Sequence, residues 1–135
     1  MGVKTIGRFV FDSTTPSAVS AEGNIPLPTS TVSNNCINCD GSNIAINRSG
    51  VYEILANFTY VATATGAQET QVYRNGNAVP GAHALSTVAT VGDDVSQAFN
   101  AVVTVPRNSP TATLNFRSTN ATSVRVANVI VVKIA

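Results

Sequence analysis

The sequence predicts an all-β protein, an antiparallel β-sandwich with no substantial helix. Three observations carry this. Thr, Val, Asn and Ser dominate the 135 residues, and helix-favouring runs of Glu, Lys, Leu and Gln are missing. No long window repeats apolar residues at the helical period of about 3.6. Alternation at period two recurs instead, cut by Gly, Asn and Pro, and many short strands at close spacing imply a sandwich or a barrel.

The elements follow in order. Lys4–Phe11 reads as the first strand, with Phe9 and Phe11 on one face and Ile6 and Val10 on the other. Residues 12–33 read as a Ser/Thr/Pro-rich loop region, in which Pro26 and Pro28 permit only an extended edge segment. Asp40-Gly41 is a turn pair, and Ser42–Ile46 a short strand. Asn47-Arg48-Ser49-Gly50 turns the chain into Val51–Val61. There Tyr52, Ile54, Ala56, Phe58 and Tyr60 share one face. Val51, Leu55 and Val61 lie on the other, among Glu53, Asn57 and Thr59.

After a turn at Gly66, Gln68–Arg74 is a strand with Val72 inward. Asn75-Gly76 is the strongest hairpin signal, because both residues tolerate positive φ. The chain returns over Asn77–Pro80, and His83–Val91 alternates weakly. Val95–Val105 places Val95, Phe99, Val103 and Val105 together, and Thr111–Arg117 does the same for Leu114 and Phe116. In the last strand, Ser123–Ile134, one face holds Val124, Val126, Ile130, Val132 and Ile134. The other holds Ala127, Val129 and Val131.

Length gives one domain, residues 1–135. A hydrophobic share of 44% supports a core, while only 11% of residues are charged, about half the usual share. The surface is therefore built of Ser, Thr, Asn, Gln and Ala, as in proteins of secreted, virion or spore surfaces. Net charge is +1 and the basic residues are scattered singly from Lys4 to Lys133. No steering toward nucleic acid or acidic membranes is expected. Gly2–Arg8 is too polar for a signal peptide, and no run approaches a membrane span.

Few residues suggest chemistry, and no cofactor is expected. Cys36-Ile37-Asn38-Cys39 is a CxxC, but a structural zinc site needs four ligands and His83 is the only other soft one. Three readings stay open: a local disulfide, two reduced small residues, or a metal on a threefold axis built from three copies. The lone His83 supports no Ser-His-Asp set, and no enzyme is expected. Asp93-Asp94 reads as a solvated turn, since calcium needs several further oxygens. Glu53, on an otherwise apolar face, needs a partner, and Arg125 is the expected one.

Two strands, Val51–Val61 and Ser123–Ile134, are apolar on both faces. An antiparallel sheet normally leaves one face in water. Two such strands in so small a chain suggest an outer face covered by other subunits.

The order of these pieces resembles a known family. Ile44-x-Ile46-x-x-x-Gly50-x-Tyr52-x-Ile54, then Val72-Tyr73-Arg74-Asn75-Gly76-Asn77-Ala78-Val79-Pro80-Gly81, then an apolar C-terminal strand, are similar to the C1q/TNF-like jelly roll. They look most like its bacterial and phage branch, the heads of collagen-like spore-surface glycoproteins and trimeric virion decorations. The resemblance spans residues 25–134. It implies a jelly-roll homotrimer, with Tyr52, Ile54, Phe58, Tyr60, Val126, Ile130 and Val132 as interface candidates. The alternation itself leaves open which face of Val51–Val61 turns to the threefold axis. The chain departs from the family's pattern in having no collagen-like stalk.

The expected function is a non-enzymatic homotrimeric structural or decoration protein on a phage virion, at the capsid or tail surface, contacting other virion or surface-layer proteins. The alternatives are a receptor- or glycan-binding head recognising a host glycan, or a protein of a spore or cell surface. No nucleic-acid or membrane partner is expected. A share of aromatics of only 6%, mostly at core-like positions, weighs against the glycan reading.

Overall fold

The computed structural model describes residues 5–32 and 36–135. Ten strands follow in order: β1 Ile6–Val19, β2 Thr29–Val32, β3 Ile37–Cys39, β4 Ile44–Ile46, β5 Gly50–Val61, β6 Gly66–Arg74, β7 Asn77–Val88, β8 Asp94–Val105, β9 Ala112–Ser118 and β10 Thr122–Lys133. They form two five-stranded sheets, β2-β1-β10-β5-β8 and β3-β4-β9-β6-β7, antiparallel throughout.

β5 is central to the first sheet, between β10 and β8. Its large residues Tyr52, Ile54, Phe58 and Tyr60 are at most 1% exposed. They meet Val72, Leu114 and Phe116 of the facing sheet in one core cluster. The Phe58 ring lies 5.5 Å from Phe116, 6.0 Å from Phe99 and 6.1 Å from Tyr60, measured between centroids. Tilted and offset rings at this spacing add attraction beyond area burial.

The Asn75-Gly76 hairpin forms as expected, with φ of 49° and 84° at its two residues. These are the left-handed values a two-residue turn between twisted strands requires. The Asn75 carboxamide oxygen also accepts the Thr113 N–H at 2.9 Å, tying the hairpin to β9.

Three expectations are corrected. First, residues 12–33 are not simply loop. β1 continues to Val19, because Ser17, Ala18 and Val19 pair with Val124, Ser123 and Thr122 beyond an irregularity at Asp12–Ser17. β2 adds an edge strand, and Ile25 and Leu27 are buried although Pro26 and Pro28 flank Leu27. The Ile25 and Leu27 amides donate to the carbonyls of Phe116 and Gly41, so the prolines occupy the positions that need no donor.

Second, Val124 does not share a face with Val126, Ile130 and Val132. Val124 pairs with Tyr60 and Val126 with Thr59, which leaves Arg125 as an extra residue. One inserted residue reverses the alternation. Val124 therefore joins Ala127, Val129 and Val131 in the core.

Third, β7 runs unbroken through Pro80-Gly81. Gln71 pairs with His83 and Tyr73 with Ala78, so the chain bulges between those pairs. Gly81, at φ 76°, permits the bend. The Gln71 carboxamide closes it, donating to the carbonyls of Val72 and Val79 at 2.9 Å and of Ala82 at 3.1 Å. Gln71→Leu leaves those carbonyls without this donor, and a destabilisation of about 1–3 kcal/mol is expected in urea unfolding. An unchanged midpoint would show that water replaces the side chain at no cost.

The core also contains a polar chain. Tyr60 Oη and Thr70 Oγ1 are 2.5 Å apart, and Thr70 Oγ1 donates to Gln97 Oε1 at 2.7 Å. Gln97 Nε2 donates to the Gln68 carbonyl and to Ser86 Oγ, and Gln68 Nε2 donates to Ser118 Oγ at 2.9 Å. Burial pushes the Tyr60 phenol far above its ordinary pKa, keeping it neutral. The network joins β5 and β8 of one sheet to β6, β7 and β9 of the other, so it resists sliding between the layers.

Candidate assembly face and binding residues

The outward face of the β2-β1-β10-β5-β8 sheet, which carries four strands of twelve or more residues, is left uncovered by the fold. Its residues align across the strands by register. Arg8, Ile130, Leu55 and Asn100 form one row; Ile6, Val132, Glu53 and Val102 form the next. On the other side lie Val10, Asn128, Asn57 and Ala98. Leu55 is 39% exposed and Val102 56%, while Val126, Ile130 and Val132 are half-buried by their neighbours. The four long strands span roughly 750 Å² at ordinary strand spacing and rise. A stable protein interface takes about 800 Å² from each partner.

A polar strip crosses this face. Arg8 Nε donates to Asn128 Oδ1 at 2.8 Å, and Asn128 Nδ2 donates to Asn57 Oδ1 at 2.8 Å. Pairing within the sheet lowers the desolvation cost of covering these groups. Such a strip also fixes the register of any partner, since only a matching polar contact satisfies its remaining donors.

The interface candidates divide in two. Val126, Ile130 and Val132 lie on the outward face. Tyr52, Ile54, Phe58 and Tyr60 lie between the sheets, where no partner reaches them. The side chains of β5 that do face outward are Val51, Glu53, Leu55, Asn57, Thr59 and Val61. Aromatic size marks Tyr52, Phe58 and Tyr60 as inward, because large rings fill the gap of about 10 Å between sheets, and Ile54 follows them by alternation.

The remaining candidates scatter. Cys39 stands on β3, the edge strand of the second sheet, where Sγ donates to the Leu27 carbonyl at 3.4 Å. Burial pushes its thiol pKa up, which disfavours the thiolate that binds metal. Cys36 directly precedes that strand. His83 lies on β7, the opposite edge, with Nδ1 3.3 Å from Glu69 Oε2, so one chain does not bring it to the cysteines. Among the described residues, no three His, Cys, Asp or Glu side chains converge. Asp93 Oδ2 accepts the Thr90 N–H at 3.2 Å as a turn cap. The expected Glu53–Arg125 pair does not form. Arg125 faces Asp94 at 3.8 Å, while Glu53 sits opposite Val132 and Val102 at the far end of the strand pair.

No family model matches the sequence, and no curated protein matches it. Solved structures match the fold. Eiger TNF from S. frugiperda superposes with a TM-score of 0.76 at 12% identity, over 98% of this chain and 93% of that one. Murine APRIL at pH 5.0 gives 0.72 at 10%, over 98% and 100%. The PRD1 vertex protein P5 gives 0.63 at 13%, over the full length of both chains. Identities this low establish the fold alone, and the fold is a TNF-like jelly roll.

Proposed function

We propose that this chain is a non-enzymatic structural protein that assembles as a homotrimer on the surface of a phage virion. The observation that carries the reading is the outward face of β1, β10, β5 and β8. It has the area of one partner's share in an interface, Ile6, Val10, Leu55, Val102, Val126, Ile130 and Val132 lie on it, and its Arg8, Asn128 and Asn57 are already paired with one another. A surface of this kind needs a cover. The exposed Leu85 on β7 supplies an apolar group along the free edge of the sandwich. Edge on one copy against face on the next is a heterologous contact, and a closed ring of three satisfies every copy.

The virion assignment draws on the likeness to a phage vertex protein over the whole chain, and on the weakly charged Ser, Thr and Asn surface. The non-enzymatic assignment draws on the scatter of His83, the cysteines and the acidic residues just described.

Native mass measurement at micromolar concentration is expected to give three times the chain mass. A monomer under those conditions would sink the trimer. Immunogold labelling of particles from a culture that expresses the chain is expected to mark intact virions. Label confined to spores or to the cell envelope would move the protein to one of those surfaces.

A further inference from the structure

β10 ends, β5 begins and β8 ends at the same margin of the first sheet, because each is antiparallel to its neighbour. Register fixes this: Lys133 pairs with Tyr52, and Gly50 with Val105. The margin opens into a cleft of about 450 Å³ whose lining includes Arg48, Arg107 and Lys133. Three of the chain's eight basic residues meet there, from positions 48, 107 and 133. Among the described residues, no Asp or Glu side chain lines it.

The fold positions Arg48 and Lys133, and Arg107 joins them from the loop after β8. The Arg48 carbonyl accepts the Tyr52 hydroxyl at 2.7 Å, and its guanidinium reaches Thr5 Oγ1 at 3.5 Å. Lys133 lies over Gly50, where an added Cβ would come within 2.5 Å of Lys133 Cε, so the glycine makes room for the lysine stem. Val51, Val105 and Pro106 form apolar wall, and Ser49 and Thr104 offer hydroxyls.

We infer that this cleft binds a phosphate or sulfate ester of a sugar-sized group. Two arginines and a lysine match a phosphate or sulfate ester better than a single carboxylate, because the ester offers three terminal oxygens to three cations where a carboxylate offers two. The volume lies in the range of small-molecule sites and exceeds what a bare anion fills. The ester's carbon skeleton takes the apolar wall, and its hydroxyls meet Ser49 and Thr104. With net charge near zero overall, the attraction is local and acts within about 10 Å.

Calorimetry with glucose 6-phosphate and glucose 6-sulfate is expected to give saturable binding with a Kd of about 1 mM or tighter. Glucose is expected not to bind. Raising sodium chloride from about 0.05 M to about 0.5 M is expected to weaken binding several-fold. Arg48→Gln with Arg107→Gln is expected to weaken it at least about tenfold, and Arg48→Lys with Arg107→Lys to restore part of it. No binding up to about 10 mM, on the order of ten times the expected constant, or binding that the glutamine pair leaves unchanged, would overturn the inference. Inorganic phosphate binding as tightly as both esters would reduce the site to an anion site and overturn the sugar assignment. Native mass spectra of each variant, recorded in parallel, separate loss of the site from loss of the trimer, on which the inference does not depend.

Discussion

Phe58→Ala is expected to lower the unfolding free energy by about 3–5 kcal/mol, the usual cost of deleting a buried aromatic ring. Phe58 is 1% exposed and sits at the centre of an aromatic group with Tyr60, Phe99 and Phe116. Removing the ring takes a contact from each of the three others, leaves Phe99 and Phe116 only each other, and opens a cavity between β5 and β9 that rigid sheets collapse only in part. Against a typical total of about 5–15 kcal/mol, that loss is large. Urea unfolding at two protein concentrations measures it, because an oligomer's midpoint depends on concentration and a core defect does not. A change below about 1 kcal/mol would mean that the two sheets do not pack through this residue.

Leu55→Asp is expected to act in the opposite way, breaking assembly while sparing the fold. Leu55 points away from the core, 39% exposed, with Ile130 and Asn100 as its register partners. In a lone subunit an aspartate there stays solvated. In a trimer that covers this face, three carboxylates lose water together, at several kcal/mol each. The association constant is expected to fall more than about a thousandfold, each factor of ten being about 1.4 kcal/mol. Analytical ultracentrifugation of wild type and variant reads this directly. A variant that stays trimeric would show that Leu55 lies outside the interface. A variant that loses β-sheet circular dichroism would place Leu55 in the folding core instead.

The contrast between these two residues marks how far the sequence could be read. Both lie on β5, and alternation put them on opposite faces correctly. What alternation could not do was say which face turned inward. Tyr52, Ile54, Phe58 and Tyr60 are interface candidates only while that choice is open. The structure closes it, since these large side chains fill the space between sheets.

β10 shows the same limit in another form. Its apolar residues are plain, but an extra residue at Arg125 reverses the parity and carries Val124 into the core. A bulge of this kind depends on the partner strand, and nothing in Ser123–Val126 announces it. The polar chain through Gln97 was more accessible, because Gln97 shares its face with Val95 and Phe99. A glutamine between two such residues must find partners when buried, and it finds Thr70, Gln68 and Ser86.

By itself the sequence determined that the chain is an antiparallel sandwich, where most strands lie, and where Asn75-Gly76 folds one hairpin. These follow from local rules, namely side-chain alternation and the φ values each residue tolerates. Only the tertiary structure decided the sidedness of β5, the parity of β10 and the meeting of Arg48, Arg107 and Lys133. In the sequence these cations are scattered singly, which argues against any charged site. In the sheet they share one margin, because antiparallel pairing brings the ends of β8 and β10 to the start of β5. Charge that is spread along a chain is concentrated wherever strand order folds it back on itself.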